Sequence, residues 1–175
     1  MNIKISKTSK INSDLPIIYI AKSEEDLNPK LFTKSQFDYI KTRFESKKKT
    51  VILNSYPKWT YIQKVDIDKE EHVIKEKLRR AAGSLYSTLK ENKHKEVTIV
   101  DLCNNPEYSL AFTEGLALSH YQFLKYYSDQ KEKEKKNHLK EIYIHSPLVV
   151  DEQIKELNIL VESVYYTKDL ANEPV

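Results

Sequence analysis

Glycine is scarce in this sequence. The 175 residues include two glycines, Gly83 and Gly115, where an average usage of ~7% would give about a dozen. A loop that cradles phosphate with backbone N–H groups needs residues free to adopt positive φ, so neither a P-loop nor a dinucleotide-binding fingerprint can be built. Both glycines fall inside predicted helices, and we expect each to mark a close approach between its helix and a neighbouring element.

Cysteine and long apolar runs are scarce as well. Cys103 is the single cysteine, so no intrachain disulfide and no thiolate metal cluster can form. The longest apolar runs are about five residues, and the N-terminal stretch contains no apolar segment of signal-peptide length. We expect no membrane span and a cytoplasmic location.

Charge is abundant but nearly balanced. Charged residues make up 31% of the chain, yet the net charge is +3. Most lysines alternate with glutamates, so nucleic acid is not an expected partner. The twelve tyrosines and Trp59 are scattered rather than clustered with basic residues, which favours packing over a base-stacking platform.

The histidines show no spacing typical of a metal site. They are His72, His94, His120, His138 and His145. We expect His120 at the edge of the core or on the surface and the others exposed, with no metal ligand among them.

Two hydrophobic periodicities alternate along the chain. Strand-like runs occupy 2–6, 16–21, 50–56, 58–67, 96–103 and 139–146, and Pro57 separates the third run from the fourth as a hairpin. Helical patterns begin after Thr33 or Ser35, cover about 69–92 after a start at Asp66 or Asp68, cover 107–128, and begin again at a cap on Asp151. This order predicts an α/β fold with three layers, in which a mixed, mostly parallel sheet lies between helices.

One polar cluster follows the strand at 96–103, which is apolar on both faces and therefore predicted to be central. Asp101, Cys103, Asn104 and Asn105 lie at its carboxyl end, where open α/β sheets tend to bind ligands. Asp101, Cys103 and Asn104 are therefore candidates for a ligand crevice. The alternative is that Cys103 is an apolar core residue and that the others serve in the loop and as helix caps.

Two segments near the end of the chain resemble the leucyl, or cytosol, aminopeptidases. The stretch FTEGLALSHYQFLKYYS is similar to a helix of that family and supplies Glu114, Gly115, Tyr121, Phe123 and Tyr126. The stretch TKDLANEPV is similar to the family's Arg-Asp-Leu-x-Asn-Glu-Pro motif, with Lys168 in place of the arginine, and supplies Asp169, Leu170, Asn172, Glu173 and Pro174.

A third match is weaker, and one motif departs from the family. The stretch KLRRAAGSL is similar to the family's Leu-Arg-x-Ala helix, which brings in Arg79. The preceding strand has IQKVDID where the family usually has Gly-Leu-Gly. The sequence is thus identified as a divergent relative of the family's N-terminal domain.

The resemblance implies a macro-domain-like fold over 1–148 and, over 149–175, a linker helix that leads to a catalytic domain outside these residues. It implies two divalent metals, zinc or manganese, in that catalytic domain, and no catalytic, cofactor-binding or metal-binding residue here. The expected partners are the catalytic domain of the same polypeptide and the other subunits of a hexamer. The expected function is non-catalytic, in assembly and positioning.

Two alternatives stay open. A free-standing macro-like module could bind a nucleotide-type ligand such as ADP-ribose, although the glycine count speaks against it. It could instead bind DNA, although the charge is small and dispersed.

Overall fold

A computed structural model describes residues 3–67, 70–126 and 137–173. The strands are β1 (Lys4–Lys7), β2 (Ile17–Ala21), β3 (Thr50–Ser55), β4 (Lys58–Lys64), β5 (Glu96–Asp101) and β6 (Glu141–His145). The helices are α1 (Lys34–Glu45), α2 (Glu71–Glu91), α3 (Pro106–Ser119) and α4 (Asp151–Asn172), with short 3₁₀ turns at Glu24–Asp26 and Pro29–Leu31.

All six strands form one sheet in the order β1-β6-β5-β2-β4-β3. Every neighbouring pair is parallel except β3 and β4, which form the predicted antiparallel hairpin. The predicted α/β class with a mixed, mostly parallel sheet is therefore confirmed, and β5 lies inside the sheet as its apolar pattern indicates.

Helices cover both faces of the sheet. On β2, Ile18 and Ile20 point toward one face, whereas Tyr19 and Ala21 point toward the other, as expected from the two-residue period of a strand. The first face carries α2, α3 and α4, and the second carries α1 with the 3₁₀ turns. The helix α4, predicted as a separate linking element, buries Ile154, Leu157, Val161 and Tyr165 in the same core as α2 and α3.

Local caps explain where two helices start. Thr33 is the N-cap of α1, because its hydroxyl accepts the Gln36 N–H while the Gln36 side chain accepts the Thr33 N–H. Asn105 caps α3 by accepting the Glu107 N–H at 3.0 Å, and Pro106 follows at the first helical position. The predicted cap duties of Thr33 and Asn105 are thus confirmed.

The predicted end of α3 is wrong. The helix ends at Ser119 rather than near residue 128, and 121–124 are irregular, while 127 and 128 lie outside the described residues. In a longer helix the Ala117 carbonyl would accept the N–H of Tyr121. Here that carbonyl accepts the His120 N–H and the Tyr165 hydroxyl instead, so tertiary contact with α4 replaces the next helical turn.

Other predicted boundaries also need correction. The helix α2 starts at Glu71 with Glu70 at the cap position, so Asp66 does not start it. The Asp66 carboxylate instead pairs with Lys49 and Lys77. Asp151 is the first residue of α4 rather than its cap, which is Val150. The strand β4 ends at Lys64 instead of 67. Positions 2, 68 and 69, which belong to predicted elements, lie outside the described residues.

Candidate functional site

The first cluster of family-motif residues joins α2 to α3. The Arg79 Nη2 lies 2.9 Å from the Glu114 Oε2, and both side chains are partly exposed. Beside this ion pair, a Cβ built on Gly115 would lie 2.3 Å from the Arg79 carbonyl oxygen. Only glycine allows so close an approach, which confirms the reading of Gly115 as a packing residue. Gly83 is less crowded, since its Cβ would lie 3.1 Å from the Ser119 hydroxyl.

The second cluster joins the segment after α3 to the last turns of α4. The Tyr121 hydroxyl donates a hydrogen bond to the Asp169 carboxylate at 2.8 Å, and the Asn172 side-chain amide donates to the Tyr121 hydroxyl at 3.2 Å. The Tyr121 ring packs 5.3 Å from the Tyr165 ring, and the Lys168 ammonium lies 5.0 Å from the centre of the Tyr121 ring. We call Tyr121, Tyr165, Lys168, Asp169 and Asn172 the Tyr121 junction.

Electrostatics strengthen this contact. Partial burial, together with the adjacent Asp169 carboxylate, raises the pKa of the Tyr121 hydroxyl, which keeps it a donor. The lysine that replaces the family's arginine holds a positive charge against the ring face, an arrangement attractive for either cation. A few residues away, Lys125 pairs with Glu173, and that hydrogen bond raises the pKa of the Lys125 ammonium.

The remaining motif residues lie apart from the junction. Phe123 packs edge-on against Tyr126 at 5.6 Å between ring centres. Leu170 and Tyr126 are both more than half exposed. Pro174 lies outside the described residues. Two motifs separated by about 50 residues in sequence therefore meet through Tyr121, Asp169 and Asn172, with Glu173 reaching Lys125.

The candidate ligand-binding residues at the end of β5 are bonded to neighbouring residues of the same chain. Asp101 is buried, and its carboxylate accepts the Cys103 N–H at 2.9 Å and the Ser146 hydroxyl at 3.0 Å. Burial raises the pKa of Asp101 despite these hydrogen bonds. Asn104 adopts a positive φ of 51° in the turn, a conformation that asparagine tolerates. This geometry matches the loop-and-cap interpretation.

The chemistry of Cys103 points the same way. Its side chain is buried against the Ile20 carbonyl, with 3.5 Å between the two atoms. Burial, and secondarily the charge of Asp101, raises the pKa of the thiol to about 12. A thiol held protonated at neutral pH is a poor nucleophile.

Sequence reasoning missed the polar contacts that His120 and Tyr165 make at the C-terminal end of α3. His120 is buried, contrary to one of the two placements allowed for it, and its Nδ1 lies 3.1 Å from the Tyr86 hydroxyl. Tyr165, whose hydroxyl bonds the Ala117 carbonyl, was not singled out. The available signal was the apolar stripe of α4, because Tyr165 follows Val161 by four positions and so shares its buried face.

Metal chemistry has no support from side-chain geometry in 3–67, 70–126 and 137–173, where no three His, Cys, Asp or Glu residues are grouped to hold an ion. None of the helices in these ranges is long and apolar enough to cross a membrane.

Comparison with known proteins decides the family. The model of the cytosol aminopeptidase family, N-terminal domain, matches residues 44–130, which contain the α2–α3 cluster and Tyr121. The chain carries the N-terminal domain of the cytosol aminopeptidase family. A probable cytosol aminopeptidase of Clostridium perfringens is 36% identical over 115 residues, which are 62% of this chain and 23% of that protein.

One further relative of the cytosol aminopeptidase domain and one solved structure extend the match. A probable cytosol aminopeptidase of Phytoplasma mali is 26% identical over 181 residues, covering 95% of this chain and 36% of that protein. Among solved structures, a mutant of tomato leucine aminopeptidase superposes with a TM-score of 0.65 at 13% identity, covering 99% of this chain and 39% of that one. The matched regions thus span from 23% to 39% of the proteins that this chain resembles, and the structural likeness concerns the fold.

Proposed function

We propose that this chain is a non-catalytic module that positions the catalytic domain of a metal-dependent leucyl aminopeptidase. The Tyr121 junction is the observation that carries the proposal. It fastens the last turns of α4 to the segment after α3, next to the point where a following domain would attach. A helix held at both its middle and its end transmits a fixed orientation to whatever follows it.

The burial of α4 supports the same role. Its first three turns pack in the core through Ile154, Leu157 and Val161, and Tyr165 adds a hydrogen bond to α3. The junction then continues the contact to Asn172, and the Lys125–Glu173 pair extends it by one residue. A flexible tether would need none of these contacts, because linkers that allow free domain motion are polar and make few of them.

In this proposal, peptide hydrolysis takes place in the catalytic domain. Two zinc or manganese ions would supply the activated water and polarise the peptide carbonyl in the catalytic domain. Described residues of this chain do not fit such a pair of ions, and the buried Cys103 and Asp101 are committed to internal contacts. We propose a cytoplasmic location and, in the whole enzyme, a hexamer.

Replacement in a relative tests this role. The experiment compares three proteins: the Phytoplasma mali relative, a form of it that lacks the segment matched by this chain, and a chimera that carries this chain in place of that segment. The oligomeric state and the rate of leucine-amide hydrolysis are measured for each. We expect the truncated form to lose assembly and the chimera to regain it. The Tyr121→Phe chimera should assemble less completely than a control chimera carrying Tyr166→Phe, which alters an exposed tyrosine of α4. A truncated form that assembles and hydrolyses like the intact relative would overturn the proposal.

A further inference from the structure

The two edges of the sheet differ in how they are protected. At the β1 edge, the Asn158 side chain of α4 accepts the Ile5 N–H at 3.1 Å and donates to the Ile5 carbonyl at 2.9 Å. This amide occupies the outward-facing backbone groups as a neighbouring strand would. At the opposite edge, β3 receives no comparable backbone bond from the part of the chain that the structure describes.

The pairing with β4 shows which groups of β3 are left unpaired. The Lys64 N–H donates to the Lys49 carbonyl at 2.7 Å, so Lys49 faces β4. In an antiparallel ladder this orientation repeats every second residue, at Val51 and Leu53. The outward-facing N–H and carbonyl groups therefore belong to Thr50, Ile52 and Asn54.

Nothing in the strand itself discourages further pairing. The sequence TVILNS contains no charged residue, glycine or proline, the features by which edge strands usually avoid association. Val51 and Leu53 are buried against α1, whereas the Ile52 side chain is 39% exposed on the other face. An uncharged edge with a half-exposed isoleucine at its centre is a template for another strand.

We propose that β3 pairs antiparallel with β3 of a second copy of this chain, across a two-fold axis at Ile52. This register places Ile52 opposite Ile52 and Thr50 opposite Asn54, which gives an apolar pair flanked by two polar pairs. Lys48 then faces Tyr56, a side chain that is 92% exposed. In each copy, the residues just before β3 are basic and those just after it are neutral. The antiparallel arrangement therefore keeps the lysines of the two copies apart, whereas a parallel arrangement would bring them together.

The pairing is symmetric, so the same patch serves both copies. Three outward-facing residues on each copy limit its size, and an interface smaller than ~1,200 Å² is typical of weak, reversible association. The contact lies at the sheet edge opposite α4. It can therefore form or fail independently of the Tyr121 junction.

Sedimentation equilibrium of the full 175-residue chain, from about 5 to 500 µM, tests the pairing. We expect a monomer–dimer equilibrium with a dissociation constant on the order of 100 µM. Ile52→Lys should weaken the dimer at least about tenfold, because two like charges would face each other at the axis. Ile159→Lys, a matched change at a 54% exposed position on α4, should leave it unchanged. A chain that stays monomeric, or a dimer indifferent to Ile52→Lys, overturns the proposal.

Mixing variants tests the register itself. Ile52→Glu and Ile52→Lys should each be monomeric alone and should form a heterodimer when mixed, since opposite charges then meet at the axis. Amide exchange of the unaltered chain gives a readout that needs no variant. The N–H groups of Thr50, Ile52 and Asn54 should exchange more slowly at 500 than at 5 µM. Equal exchange rates at the two concentrations, or no heterodimer from two folded variants, would contradict the pairing.

Discussion

The Tyr121 hydroxyl donates a 2.8 Å hydrogen bond to the Asp169 carboxylate across 48 positions of sequence. This bond joins two stretches that resemble motifs of the cytosol aminopeptidases, one after α3 and one at the end of α4. Because the same hydroxyl accepts a bond from Asn172, a single atom fixes two successive turns of the last helix. The junction therefore links the sequence resemblance to a physical role, the orientation of α4.

Removing that hydroxyl should loosen the end of α4. Tyr121→Phe keeps the ring contacts with Tyr165 and Lys168 but removes both hydrogen bonds. A net loss near 1 kcal/mol locally corresponds to amide exchange about fivefold faster at residues 169–173. Exchange measured by mass spectrometry checks this, with Tyr166→Phe as the control. Unchanged exchange in Tyr121→Phe would show that the junction does not hold the helix end.

The two glycines should respond differently to the same substitution. Gly115→Ala places a Cβ 2.3 Å from the Arg79 carbonyl oxygen, so α2 and α3 must separate. Overpacking of this kind costs about 2–3 kcal/mol of unfolding free energy. Gly83→Ala meets the movable Ser119 hydroxyl at 3.1 Å and gains helix propensity, so its effect should stay within about 1 kcal/mol. Urea unfolding compares the pair, and equal losses would contradict the close-approach argument.

Acid should destabilise the fold through His120. Burial lowers its pKa to about 4 in the folded chain, with Lys90 adding to the effect, whereas an unfolded histidine titrates near 6.5. The depressed pKa means that the neutral ring beside Tyr86 is stabilising above about pH 6.5, and this stability is lost as pH falls from 6.5 toward 4.

The expected loss between pH 7.5 and pH 5 is about 2 kcal/mol of unfolding free energy. Urea unfolding at both pH values measures it. His120→Gln should show a smaller loss over the same range, while His72→Gln, at an exposed position, should behave like the unaltered chain. Identical pH dependence in His120→Gln would mean that other groups cause it.

Cys103 should be inert in the folded chain. Its thiol is buried and its pKa is raised to about 12, so little thiolate exists at pH 8. We expect reaction with a disulfide reagent at least about 100-fold slower in buffer than in concentrated urea, measured by absorbance. Rapid labelling of the native chain would reopen the possibility of chemistry at the end of β5.

The sequence predicted the layers well because burial patterns are local. The run that forms β5 is apolar on both faces, which predicted its place inside a mostly parallel sheet. The features that the sequence did not predict depend on tertiary contacts. The Tyr165 hydroxyl takes the Ala117 carbonyl and ends α3 early, and no periodicity in either helix reports a bond between them.

The sequence indicated which residues belong to the candidate site but not how they are arranged. Motif similarity selected Tyr121, Asp169 and Asn172, yet only the fold brings them together. The same similarity selected Phe123 and Leu170, which lie apart from the junction. Asp101 lies at the carboxyl end of a central strand, as predicted. Its carboxylate, however, accepts hydrogen bonds from Cys103 and Ser146 of the same chain.

The most direct measurement is leucine-amide hydrolysis by the purified 175-residue chain, supplied with manganese or zinc ions. The account predicts no release of leucine above a metal-only blank, at any chain concentration, while circular dichroism shows the chain to be folded. Release that rises in proportion to the chain and stays with it through further purification would contradict the account, because these residues would then perform the chemistry that it assigns to another domain.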